Sequence, residues 1–234
     1  MIGHRIREIF IFWWRHLGPL FLVTAPFALI TEATQWVFGP SFVLPETEGA
    51  ALQFSGISLA VILLVRPLAE GALYVQLSAS SNSKSRGLLA CIAPALLVYP
   101  PLLLTYALMA IGVSLGWMAL FFPAVWVYTR LCYAPLLVIL KQQNPIEALR
   151  QSFQMTQSQQ WPLLLILVLV FLAYLMMSSL VASAILGVVS HTTAASLLAA
   201  LPISLMSALV NIAVFRYWSL SQPAAPLRRR LTAR

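Results

Sequence analysis

The sequence predicts an all-α polytopic membrane helix bundle, and three observations carry that expectation. Of the 234 residues, 61% are hydrophobic and 9% charged, with mean hydropathy +0.89, where an ordinary soluble domain carries about 25% charged residues. Six apolar runs, 17–38, 55–77, 88–111, 117–140, 161–185 and 195–218, have the length of roughly 20 residues that a helix needs to cross about 30 Å of hydrocarbon. The basic residues between them alternate along the chain. Arg5, Arg7 and Arg15 precede the first run, Lys84 and Arg86 follow the second, Lys141 and Arg150 follow the fourth, and Arg228, Arg229, Arg230 and Arg234 end the chain. The intervening connections have none, and the first of them carries Glu46 and Glu48 instead. Because Lys and Arg near span ends are retained on the cytoplasmic side, both termini are expected in the cytoplasm, which requires an even number of crossings. The runs fill 1–234 as a single integral membrane domain.

The chain opens with an amphipathic segment. At 100° per residue Ile2, Ile6, Ile9, Phe10, Trp13 and Leu17 share one side, opposite His4, Arg7, Glu8 and Arg15. A helix over about 2–16 is expected to lie along the headgroups before the first span. A cleaved signal fits poorly, since TEA at 31–33 is a weak cut site. The second span carries Arg66 and Glu70. A central Arg costs about 2.5–3.5 kcal/mol on the insertion scale while each Leu, Ile, Phe or Val returns about 0.3–0.6, so its hydropathy is near break-even. Parity retains it: without this crossing every later basic loop changes sides. Pro94, Pro100, Pro101, Pro123 and Pro135 are expected to kink spans three and four. Between those spans, GVSLG at 112–116 has dimer-motif spacing, but its position predicts a turn.

After the fourth span, Asn144 suits an N-cap, Pro145 the first helical position and Glu147 the reciprocal capping position. A second interfacial helix over about 145–157 follows, with Ile146, Leu149 and Phe153 as its apolar stripe, and Gln143, Glu147, Gln151 and Gln154 elsewhere. Arg150 lies on this helix. In the last two spans Ser179, Ser183 and Gly187, and Ser196, Ala200, Ser204 and Ala208, recur every four residues, which predicts a hairpin closing through small faces, with Asn211 as interhelical glue. Arg216 near the inner end of span six is expected to snorkel. Arg7, Phe10, Pro19 and Tyr74 match Arg150, Phe153, Pro162 and Tyr217 at one offset of 143 residues. That leaves open both a duplication of about 6–78 as 149–221 and chance agreement within a small lipid-facing alphabet.

RLCYAP at 130–135, NPIEALRQSFQMT at 144–156 and QQW at 159–161 resemble the YciC-like family of bacterial inner-membrane proteins, and more distantly the membrane region preceding some glycerophosphodiester phosphodiesterase domains. The resemblance implies a six-span bacterial inner-membrane protein and supplies no catalytic residue. Relatives often carry an acidic residue after the fourth span, where this chain has Lys141.

Candidate chemistry concentrates in the intramembrane charges. At 1.5 Å rise per residue, Arg66 and Arg130 fall near the centres of their spans, Glu70 one turn inward and Glu32 one turn outward of centre. Such charges are functional candidates by default and face the bundle interior. The simpler account is an ion-pair network of Glu32, Arg66, Glu70 and Arg130 locking spans one, two and four; the sharper is a polar route for a solute. The chain has no Asp, its His4, His16 and His191 are scattered from Cys91 and Cys132, and no nucleophile elbow or phosphate loop is present. No enzyme, cofactor or metal is therefore expected, and the two cysteines are expected as free thiols. The net charge of +8 follows from topology and anionic lipid rather than nucleic acid; Arg228, Arg229 and Arg230 are candidate headgroup contacts. Two functions remain: a non-enzymatic organiser or assembly component acting on lipids, a membrane-protein partner or a second copy, or a small-solute or ion transporter.

Overall fold

In lipid, backbone N–H and C=O groups find no water, so a spanning segment satisfies them within itself and runs of Leu, Val, Ile and Ala become helices. The computed structural model describes residues 2–41, 55–82, 84–119, 121–189 and 192–221, and among these residues the regular structure is helical with no strand. In chain order the helices are α1 (Ile2–Arg15), α2 (Leu17–Phe38), α3 (Gly56–Ser81), α4 (Leu88–Leu97), α5 (Tyr99–Ala119), α6 (Phe121–Leu131), α7 (Ala134–Lys141), α8 (Pro145–Met155), α9 (Gln160–Val188) and α10 (Thr192–Ser221). Six stretches have the length and apolarity to cross a membrane, with α6 and α7 together forming one of them. The chain is a multi-pass membrane protein.

Both proline-rich spans are broken where the prolines predict. The third divides at Val98, just before Pro100 and Pro101, into α4 and α5. The fourth divides at Cys132–Tyr133, just before Pro135, into α6 and α7. A proline lacks an N–H and its ring crowds the carbonyl four residues back, but it fits the first turn of a helix, so each break sits just ahead of the ring and the prolines open α5 and α7. Helix α5 runs on to Ala119, beyond the expected end of its span, and 112–116 is helical, not a turn. Of the two glycines there, Gly116 is needed for packing. An added Cβ on Gly116 would lie 2.8 Å from Ala124 Cα and 2.9 Å from its nitrogen, so the absence of a side chain lets α6 fold directly onto α5. The GxxxG spacing thus serves a contact within the chain.

The centre is built by α3 and α7. Residues 71–77 of α3 and 134–139 of α7 are buried without interruption, as expected for helices enclosed on all sides. Leu102, Ala95 and Ile139 converge on Gly71, joining α5, α4 and α7 to α3. On the other flank α10 packs against α9 and α2, and α2 against α3. The start of α3 is tied to the end of α2: Ser55 caps α3 by accepting from Ser58 N–H, and the Ser58 hydroxyl donates to Gly39 O at 2.7 Å.

Three expected packing details differ. The small face of α9 is not its seam with α10, because Ser179, Ser183 and Gly187 are exposed; α9 buries Leu163, Ile166, Leu167 and Val170, while α10 buries Ala199, Ala200 and Ala208. Helix α1 docks its apolar side onto the bundle rather than leaving it to the headgroups. Ile9 and Trp13 are buried, and the Trp13 indole donates to Leu205 O in α10 at 2.8 Å. At Asn144 the backbone has N-cap geometry and its carbonyl accepts from Ala148 N–H, but its side chain makes no capping bond.

Candidate functional site

The four intramembrane charges occupy three separate places. Arg66 and Glu70, one turn apart on α3, form an ion pair with Nε to Oε1 at 2.9 Å. The Tyr106 hydroxyl of α5 donates to the other carboxylate oxygen at 2.5 Å, so Glu70 is gripped from two helices. Its side chain is 19% exposed while that of Arg66 is 71% exposed: Glu70 faces inward, and Arg66 reaches it from the outer face of α3. Pro67 lies between them, and a proline ring displaces the carbonyls of the preceding turn. One of these, Leu64 O, accepts the Tyr99 hydroxyl at 2.7 Å. Tyr74, one turn further along α3, donates to Asn211 Oδ1 of α10 at 2.8 Å; the expected polar glue therefore has a tyrosine partner.

Glu32 stands apart from this pair. It lines a hollow of about 390 Å³ between α2, α9 and α10, with Thr31, Tyr174 and the small residues Ala182, Ala199 and Ser204. No ion pair reaches Glu32 among the described residues.

Arg130 is the third place. Its side chain belongs to a residue 4% exposed, yet no carboxylate among the described residues pairs with it. The guanidinium lies 3.8 Å from the centre of the Phe153 ring and 5.5 Å from that of Trp126. The two rings meet edge to face, 6.2 Å apart, so their negative π faces supply the charge complement. Nε and Nη1 are enclosed without a hydrogen-bond acceptor. The backbone around Arg130 is better served. The break after α6 frees Arg130 O and Tyr133 N–H, and the Ser152 hydroxyl of α8 donates to the first at 2.8 Å and accepts from the second at 3.2 Å. The Thr156 hydroxyl lies 3.3 Å from Arg130 O and 2.9 Å from Ser152 O.

These contacts fix how α8 sits. Its buried face is Ala148 and Ser152, followed by Thr156, docked on α6 and α7. Ile146 and Phe153 are exposed, Leu149 is half-buried, and Glu147 and Arg150 are exposed. Of the apolar stripe expected to meet lipid, Ile146 and one side of Phe153 face outward, while Leu149 packs against the core. The polar flank borders a second hollow of about 890 Å³ against Leu104 of α5, lined by Asn144, Pro145, Glu147, Arg150 and Gln154. The Arg130 carbonyl also meets the polar end of α8. Thr156, beside that carbonyl, is followed by exposed Gln157 and Ser158 and then by Trp161 at the start of α9. A helix of 29 residues is about 43 Å long, more than a hydrocarbon core of about 30 Å requires.

Of the other expected residues, Arg216 lies 4.0 Å from Glu8 and 5.7 Å over the Phe12 ring, pinning α1 to α10 instead of snorkelling alone. Cys91 and Cys132 are free and buried. Arg228, Arg229 and Arg230 lie outside the described residues, as do Glu46, Glu48 and His191. Sequence reasoning did not find Tyr106, Trp126, Ser152 or Thr156. The last two had a signal in the four-residue spacing of Ala148, Ser152 and Thr156, and Trp126 had one in standing four residues before Arg130 on α6; Tyr106 had none, because it reaches Glu70 from another helix. No protein-family model, curated protein or solved structure matches the chain.

Proposed function

We propose that this protein is a non-enzymatic organiser of the membrane boundary, acting on lipids or a partner membrane protein through the surfaces of α1 and α8. The observation that carries the reading is the way these two amphipathic helices are held. Each is anchored by its buried side to the bundle, α1 through Trp13 and Arg216 and α8 through Ser152 and Thr156. Each presents large apolar side chains outward, Trp14 at 70% exposure and Ile146 at 74%. Rigidly mounted apolar groups beside Arg150 suit lipid acyl chains and anionic headgroups. The expected membership of the YciC-like family, cytoplasmic termini and a bacterial inner-membrane location agree with this reading, as do the headgroup contacts assigned to Arg228, Arg229 and Arg230.

The transport alternative receives less support from the geometry. The two hollows described above hold Glu32 and the α8 flank separately, and neither is lined by Arg66, Glu70 or Arg130. The deciding experiment is purification in a mild neutral detergent, with bound lipids and proteins identified by mass spectrometry. The reading expects a specific lipid class or partner enriched over the membrane of origin. Bare protein in repeated preparations, together with solute uptake by proteoliposomes, overturns it.

A further inference from the structure

We propose that Arg130 anchors an anion site that takes a phosphate-class group at the membrane boundary, with Phe153 and Trp126 as its aromatic cradle. The inference rests on the lipid-binding reading above and names the chemistry of one site within it. Its starting point is a charge left over. Arginine stays protonated at any physiological pH, and a buried cation is tolerated when paired. Arg66 has Glu70 and Arg216 has Glu8; Arg130, at 4% exposure, has two π faces and no anion.

The surroundings explain why no residue of the chain fills that role. The Ser152 and Thr156 hydroxyls of α8 turn their hydrogens to backbone carbonyls at the helix break, and neither accepts a hydrogen bond from the guanidinium among the described residues. With Nε and Nη1 enclosed, Nη2 is the edge left to accept a partner from outside. A stack on Phe153 holds the guanidinium plane fixed, and a fixed plane presents its N–H groups in the orientation a phosphate oxygen needs. The position agrees. The Arg130 carbonyl meets Thr156, which leads into the exposed polar turn before α9, and Phe153, exposed on its outer side, offers surface suited to an acyl chain.

The test uses the full chain in mild neutral detergent, with thermal unfolding followed as ligand is added. The probes are phosphatidylglycerol, phosphatidylcholine and inorganic phosphate. A ligand that binds the folded form raises Tm in proportion to its affinity. Phosphatidylglycerol is expected to raise the wild-type Tm more than phosphatidylcholine does, and Arg130→Gln to weaken the phosphatidylglycerol affinity by about tenfold, the loss of one charge-assisted bond. Arg86→Gln, which removes an exposed loop charge, is expected to leave it within about twofold, since surface charges remote from a site contribute little. If inorganic phosphate gives the same Arg130-dependent shift and the lipid gives none, the anion site stands and its occupant is soluble. A folded Arg130→Gln that binds phosphatidylglycerol as the wild type does overturns the site while leaving the lipid reading intact. Should Arg130→Gln not fold, Arg130→Lys keeps the charge without the planar stack, and wild-type-like selectivity in that variant also overturns it. Absence of any anion-dependent shift in the wild type does the same.

Discussion

Replacing Gly116 by alanine separates two opposing effects whose sizes follow from the geometry. Helix propensity favours alanine by about 1 kcal/mol. Against this, the new Cβ would sit 2.8, 2.9 and 3.1 Å from Ala124 Cα, Ala124 N and Pro123 C, all backbone atoms that no rotamer change can move. Ordinary contact begins at 3.4 Å, so α6 must retreat by about 0.6 Å, the difference between 3.4 and 2.8, and a gap of that size forfeits a quarter to a half of the dispersion attraction along the seam. Overpacking of this kind costs about 1–3 kcal/mol, which leaves Gly116→Ala destabilised by up to about 2 kcal/mol after the propensity gain is deducted. Gly112 is the internal control. A Cβ there meets Leu131 Cδ1 and Val127 Cγ1, each at 3.5 Å, so Gly112→Ala fits and gains up to about 1 kcal/mol. Reversible unfolding in mixed detergent micelles, read by circular dichroism, measures both. Equal stabilities, or Gly116→Ala the more stable of the two, would refute the claim that α5 and α6 are joined through backbone contact at this glycine.

Three further substitutions test other joints by the same assay. Ser152→Ala is expected to cost about 1–3 kcal/mol, because it strands the buried Tyr133 N–H and weakens the cover of Arg130 O; a loss below 0.5 kcal/mol means the break is satisfied otherwise. Gln142 joins α7 to α8 at φ 52°, a left-handed conformation that costs an L-residue about 1–2 kcal/mol. Gln142→Gly should therefore gain up to about 1 kcal/mol after the extra unfolded-state entropy is deducted, and destabilisation argues against that turn geometry. Tyr106→Phe removes one hydrogen bond to Glu70 and should cost about 0.5–2 kcal/mol. Glu70→Gln should cost more, since it also leaves Arg66 unpaired, and the reverse order means the ion pair contributes nothing.

The fold was legible because its signals are local. Hydropathy located the spans, proline placed the breaks before residues 100 and 135, and the 3.6-residue period identified α1 and α8. What the sequence did not disclose depends on which helices become neighbours. The glycines at 112 and 116 read as a turn because the end of span three was set by a hydropathy minimum, whereas the packing of Ala124 against Gly116 carries the helix past it. The exposed serines of α9 and the buried alanines of α10 have the same spacing in sequence, and nothing local says which face meets a partner. Tyr106 and Asn211 find their acceptor and donor on α3 across 36 and 137 residues, a range at which periodicity is silent.

Arg130 shows how a break changes the meaning of a charge. Counting 1.5 Å per residue along a straight span puts it at mid-membrane, where an arginine costs about 2.5–3.5 kcal/mol to insert and where pairing with Glu70 or Glu32 is the natural compensation. The break at Cys132–Tyr133 removes the premise. With the chain turning there, α8 returns alongside α7 and brings Ser152 and Thr156 to the Arg130 carbonyl, and the polar turn that opens α9 comes with them. Two aromatic π faces partly compensate the guanidinium there, with no carboxylate from the described residues paired to it. Its charge then remains free for an external anion, whereas the charge of Arg66, neutralised by Glu70 at 2.9 Å, does not. The break that costs the fourth span its continuous hydrogen bonding thus leaves Arg130 between two aromatic rings with no carboxylate, while Arg66 in α3 is neutralised on its own helix.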